Sequence, residues 1–149
     1  MADMATTTGG ARLGRRRSRP VAVAGAVLAT SLLWLLALAL GIDLTVDQRD
    51  GRPPMVVGLP MVAGFTLILS LLGWGVLAVL ERRAPRRAGL VWTVLAVAVL
   101  VLSFVPILGA GATTGAKVML SLMHLAVAAV LVPVLGRGAR ASSATRHRP

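Results

Sequence analysis

The chain has 149 residues, of which 56% are hydrophobic and only 14% charged, whereas about a quarter of an ordinary soluble domain is charged. Cysteine is absent, which excludes a disulfide framework, a thiol nucleophile and a thiolate metal site. The net charge of +11 does not point to nucleic acid, because the cations stand just outside long Ala-, Val- and Leu-rich runs, where the insertion machinery and anionic lipids read them.

Residues 1–19, MADMATTTGGARLGRRRSR, are small, polar and basic with no apolar period, and are expected to be disordered. The first apolar run covers about 21–41 and carries no charge, with Pro20 just before it, where a missing N–H costs little. Further runs cover about 56–80, 88–109 and 112–135. Each reaches the ~20 residues that a spanning helix needs. They are twice as long as a barrel strand and apolar on every side, so helices are expected rather than strands. Residues 136–149, rich in Arg, Ser and Ala, again read as a disordered basic tail. The fold expected over residues 20–135 is therefore all-α: four transmembrane helices in an up-down bundle, multi-pass in the cell membrane.

Orientation follows from arginine. Five precede the first run, four lie between the second and third, four follow the last, and the other two connections hold only Arg49 and Arg52, so the count is thirteen against two. The positive-inside rule then places both termini and residues 81–87 in the cytoplasm, and residues 42–55 and the turn near 109–112 outside. A cleaved signal peptide ending near the ALA at 37–39 is the alternative, but the apolar run exceeds the usual 7–15 residues of such a signal.

The outer loop, GIDLTVDQRDGRPP (41–54), holds Asp43, Asp47 and Asp50 at a spacing that fits no calcium loop. Asp50-Gly51 is a turn signal that permits a small β-hairpin. Asp43 follows the first helix directly, where the helix dipole disfavours an acid. Lys117 falls at the same outer end, and either pairs with Asp43 or snorkels to the interface. Glu81-Arg82-Arg83 closes the second helix, with Glu81 in an arginine pair or anchoring the interface. Trp74 and Trp92 fit an aromatic belt at that same interface, and Trp34 fits helix packing. Gly25 with Ala29, and Gly111 with Gly115, are small-xxx-small pairs that let helices approach.

His124 lies near the midplane in LSLMHLAVAAVLV (120–132). Lys117, Ser121 and His124 are spaced i, i+4 and i+7, so they share one helical face. Ionisable groups at that depth face the protein interior, so this stripe is expected to point inward. Its expected partners are backbone carbonyls of the other helices or the mid-span hydroxyls Thr30, Ser31, Thr66, Ser70 and Ser103. No phosphate loop, zinc motif, nucleophile elbow or paired-carboxylate motif is present.

GIDLTV (41–46) at the end of the first helix, ERR (81–83) before a third span led by Trp92, and LMHL (122–125) in the fourth together resemble an uncharacterised family of small four-helix membrane proteins from actinobacteria. The resemblance covers residues 20–135 and implies topology and membrane location, without an activity. Lys117 is not part of that pattern.

The function expected is that of a non-enzymatic integral membrane protein, an accessory or partner-stabilising subunit with no catalytic, cofactor or metal residues. Its partners would be the lipid bilayer, anionic lipid headgroups at the cytoplasmic face, and a membrane protein or a second copy. The alternatives are a small transporter or channel subunit using His124, and an intramembrane lipid-modifying enzyme using Asp43 and His124.

Overall fold

A computed structural model describes residues 6–145, with side chains described from 18 to 136. It contains four helices and one small hairpin: α1 Thr6–Ala39, β1 Thr45–Val46, β2 Met55–Val56, α2 Leu59–Arg83, α3 Ala88–Gly109 and α4 Thr114–Thr145. Their apolar segments, Ser18–Ala39, Leu59–Arg83, Ala88–Gly109 and Thr114–Gly136, are each long and apolar enough to cross a membrane.

Helical structure extends beyond the apolar runs at both chain ends. α1 starts at Thr6 and α4 ends at Thr145, although residues 6–19 and 136–145 read as tails in the sequence. Alanine, arginine and leucine are good helix formers, and a helix already nucleated in the apolar run can propagate into them. The disorder expected for residues 1–5 and 146–149 lies outside the described residues. Pro20 consequently stands inside α1, not ahead of it. Pro60 does occupy the first turn of α2, where its missing N–H costs nothing.

The distribution of side chains is the reverse of a soluble protein's. Leu28, Leu32, Phe65, Leu72, Val94, Leu102, Leu108 and Val118 point outward, while the buried positions include Ala22, Ala26, Ala37, Ala88, Ala116, Thr30, Thr66 and Ser70. Lipid solvates the large apolar side chains, so helices gain by placing small residues where backbones approach each other. α4 packs against α1 and α3, α1 packs against α2, and α2 touches α3 and α4 more sparsely.

The core divides in two. One cluster gathers Ala22, Ala26, Leu77, Ala88, Trp92, Leu131 and Leu135 near Glu81. The other gathers Ala37, Leu44, Val62, Ala116, Met119 and Met123 under the 42–57 loop. α1 contributes to both clusters, and its end at that loop is a Schellman motif. Gly41, at φ +66, bonds to the Leu38 carbonyl at 3.0 Å, and Ile42 bonds to the Ala37 carbonyl at 2.9 Å. The left-handed backbone needs glycine there.

Candidate functional site

At the loop end, β1 and β2 pair antiparallel, Thr45 opposite Val56 and Val46 opposite Met55. Arg49 and Gly51 supply the positive φ values of the turn. The hairpin then joins the α3–α4 connection: Asp47 and Gly111 exchange two main-chain hydrogen bonds, each of 2.8 Å. A Cβ on Gly111 would stand 3.2 Å from the Asp47 Cβ, so this approach favours glycine. Trp34 reaches from α1 to the same layer, its indole Nε1 donating to the Val57 carbonyl at 2.8 Å. It therefore packs within the protein, as its depth in the run suggested.

The three aspartates of the loop form local turns. Asp43 Oδ1 accepts from the Thr45 amide at 2.9 Å and from the Thr45 hydroxyl at 2.6 Å. Asp47 accepts from the Arg49 amide and Asp50 from the Arg52 amide. Among the described residues no group of three His, Asp or Glu side chains comes together as a metal site would require.

Lys117 stands at the same end as Asp43, but the two do not pair. Its Nζ donates to the Leu108 carbonyl at 3.1 Å. That carbonyl belongs to the last turn of α3, where a cation complements the helix dipole. Thr113 begins α4 as its cap: Oγ1 accepts from the Ala116 amide at 3.1 Å, and donates to the Asp43 carbonyl at 3.4 Å.

Further along α4, the innermost face is made by Ala116, Met119 and Met123, while Val118, Leu122 and Leu125 lie exposed. Lys117, Ser121 and His124 are half-buried and run along the flank between those faces. The hydrogen bond of His124 stays within its own helix, Nδ1 to the Leu120 carbonyl at 2.8 Å, and does not reach another helix. A carbonyl only accepts, so Nδ1 is the donor in this bond.

The hydroxyls that do meet across helices are Thr30 of α1 and Thr66 of α2, 1% and 8% exposed, whose Oγ1 atoms are 3.3 Å apart. Thr30 also bonds back to the Ala26 and Val27 carbonyls, as mid-helix threonines do. Ser103 likewise bonds back to Leu100. Ser70, one turn from Thr66, is fully buried, and its hydroxyl has no hydrogen-bond partner.

At the opposite end, Glu81 pairs with Arg19 of α1 at 2.5 Å, and the two side chains are 18% and 17% exposed. An arginine partner for Glu81 is expected from the sequence, but its identity is not, because 62 positions separate the two. The only signal in the sequence is that each residue flanks its apolar run, Glu81 one position and Arg19 two positions outside it. Trp92 departs from the belt expected of it and is buried, 6% exposed. A Cβ on Gly73 would come 2.9 Å from the Trp92 ring, and a Cβ on Gly136 would come 3.9 Å from its Cδ1. The indole is thus keyed into α2 at Gly73 and lies in ordinary contact with Gly136 of α4, with its Nε1 unpartnered.

No curated protein and no solved structure matches the chain. The family described as "Family of unknown function (DUF6069)" matches residues 10–141, nearly the whole chain, and this four-helix protein belongs to that family.

Proposed function

We propose that the protein works without catalysis, as an accessory subunit that stabilises a membrane-protein partner or a second copy of itself. In this reading the four helices form an up-down bundle in the cell membrane. Both termini and the Glu81 end lie in the cytoplasm, and the 42–57 loop lies outside. The arginines support that orientation: Arg82, Arg83, Arg86 and Arg87 lie in or beside the α2–α3 connection, against Arg49 and Arg52 in the hairpin.

One observation supports the non-catalytic role above the others. Several polar groups in and beside the spans are used to join one helix to another. Glu81 holds Arg19, Lys117 holds the end of α3, and Thr30 meets Thr66. Groups committed in this way position helices, which is what a scaffold requires.

Affinity purification of the tagged chain from native membranes tests the role. A reproducible co-purifying membrane protein, or a stable homo-oligomer, is the expected result. Solute flux in proteoliposomes containing the purified chain alone would overturn it. Reporter fusions after residues 50 and 149 test the orientation, and a reporter active outside the cytoplasm at the C-terminus would reverse it.

A transport role has one observation in its favour, the second ring nitrogen, Nε2, that His124 keeps beyond its bond to Leu120. His124→Gln keeps hydrogen bonding but cannot titrate over roughly pH 5–8. If that variant retains full function across this range, the transport reading fails.

A further inference from the structure

The inward face of α2 is a stripe of Val62, Thr66, Ser70 and Leu77, and Glu81 continues it one turn beyond Leu77. The opposite face has no protein neighbour of comparable extent. There Ile68, Leu72, Gly75, Val76 and Val79, all of α2, line a shallow, open and almost wholly apolar groove of about 630 Å³ on the helix surface. Gly75 forms its floor: a Cβ at this position would meet nothing within 4 Å. The groove runs from Ile68 to Leu80, which at 1.5 Å per residue is ~18 Å. Half of the ~30 Å hydrocarbon core is one leaflet, so the groove is about one leaflet deep.

The charges at its mouth are on the same face. Arg82 and Arg83 lie three and four residues beyond Val79, which makes them its neighbours on the helix surface, and both are exposed. The nearest carboxylate in sequence, Glu81, is turned to the inward side and held by Arg19. Among the described residues the ion pairs are Arg19–Glu81 and Arg52–Asp50, so Arg82 and Arg83 face outward without a carboxylate.

We propose that this groove is a binding site for an anionic glycerophospholipid, with one acyl chain lying along Gly75 and the phosphate held by the guanidinium groups of Arg82 and Arg83. A shallow apolar groove of leaflet length that ends in two unneutralised arginines complements both halves of such a molecule. Arginine also suits a phosphate, because its planar fork binds two oxygens at once. The site rests on the helices being embedded in lipid and is independent of the accessory role and of sidedness.

The test is native mass spectrometry of the full chain, purified in detergent and offered phosphatidylglycerol or phosphatidylcholine with matched acyl chains. Phosphatidylglycerol should be retained on the order of tenfold better. The Arg82→Gln/Arg83→Gln double variant should bring that ratio to about one, and Gly75→Leu should lower retention of both lipids. Should Gly75→Leu lose helicity, Leu72→Trp, at an exposed position, fills the groove in its place. Equal retention by the native chain, or a preference that survives the double arginine variant, overturns the site. So does retention unchanged by filling the groove. A groove-filling variant that alters only the oligomeric state would assign the groove to a second copy and overturn the lipid. Partner capture and the reporter fusions read the accessory role separately.

Discussion

At the loop end, the connection that holds the hairpin and the short α3–α4 turn are joined by the two main-chain hydrogen bonds between Asp47 and Gly111, and α1 is closed by the Ile42 amide on the Ala37 carbonyl. At the Glu81 end, the α2–α3 connection is only residues 84–87, and closure falls to side chains: Trp92 against Gly73 and Gly136, and Arg19 on Glu81. The difference follows from backbone accounting. Irregular chain beside a membrane must find partners for all its N–H and C=O groups, whereas a helix leaves only those of its terminal turns to be satisfied. The loop end therefore depends on conformation, through Gly41 and Gly111, and no exchange of side chains can imitate it. The Glu81 end depends on pairs, which can be exchanged.

Trp92→Ala is expected to have the largest effect. Removing the indole leaves a cavity at the junction of α2, α3 and α4, and should cost on the order of 3 kcal/mol, read from the unfolding midpoint in detergent. Trp92→Phe sharpens the point: it removes a buried N–H that has no partner, so the midpoint should hold or rise. A Phe variant as damaged as the Ala variant would mean that the N–H is used.

Glu81→Gln should come next, at about 1–3 kcal/mol, between the values for exposed and buried pairs. The swap Arg19→Glu with Glu81→Arg should restore part of the loss. A swap no better than the single variant would place the loss in packing and blur the contrast between the two ends.

At the loop end, Thr113→Ala removes the cap of α4 and should cost about 1 kcal/mol. It should also raise amide exchange at Ala116 while leaving the Glu81 end unchanged. The smallest effect is expected midway between the ends. Thr30→Val removes the hydroxyl contact with Thr66 and should cost about 0.6 kcal/mol, because threonine in lipid still finds carbonyls of its own helix. A loss above about 2 kcal/mol there would make the Thr30–Thr66 seam a third point of closure.

The spans were legible in the sequence because length and unbroken apolarity decide them. The third expected run, 88–109, coincides with Ala88–Gly109. The second starts three residues late, at Leu59, because Met55 and Val56 pair with Val46 and Thr45, and Pro60 fixes the first turn of the helix. Valine and methionine suit a strand as well as a membrane helix, so composition could not separate the two there. The partners of the polar residues were less legible. The role of Trp92 depends on a notch at Gly73 in another helix, and that of Glu81 on an arginine 62 positions away. Spacing within one element carries neither. His124 shows a different limit: the sequence placed it on the face it shares with Lys117 and Ser121, but a carbonyl one turn back is closer than any hydroxyl across the seam.

The two hydrogen bonds between Asp47 and Gly111 also set an order of events during synthesis. Their partners are 64 positions apart (111 minus 47), so at 5–20 residues per second the first waits about 3–13 s for the second to be made. Until then Asp47 has no Gly111 to pair with, and the hairpin stands without its third segment. The contact can close only after α2 and α3 have been built, and its closing marks the moment when the last helix begins. A chain truncated within α3 would leave the Asp47 amide and carbonyl without Gly111 as their partner.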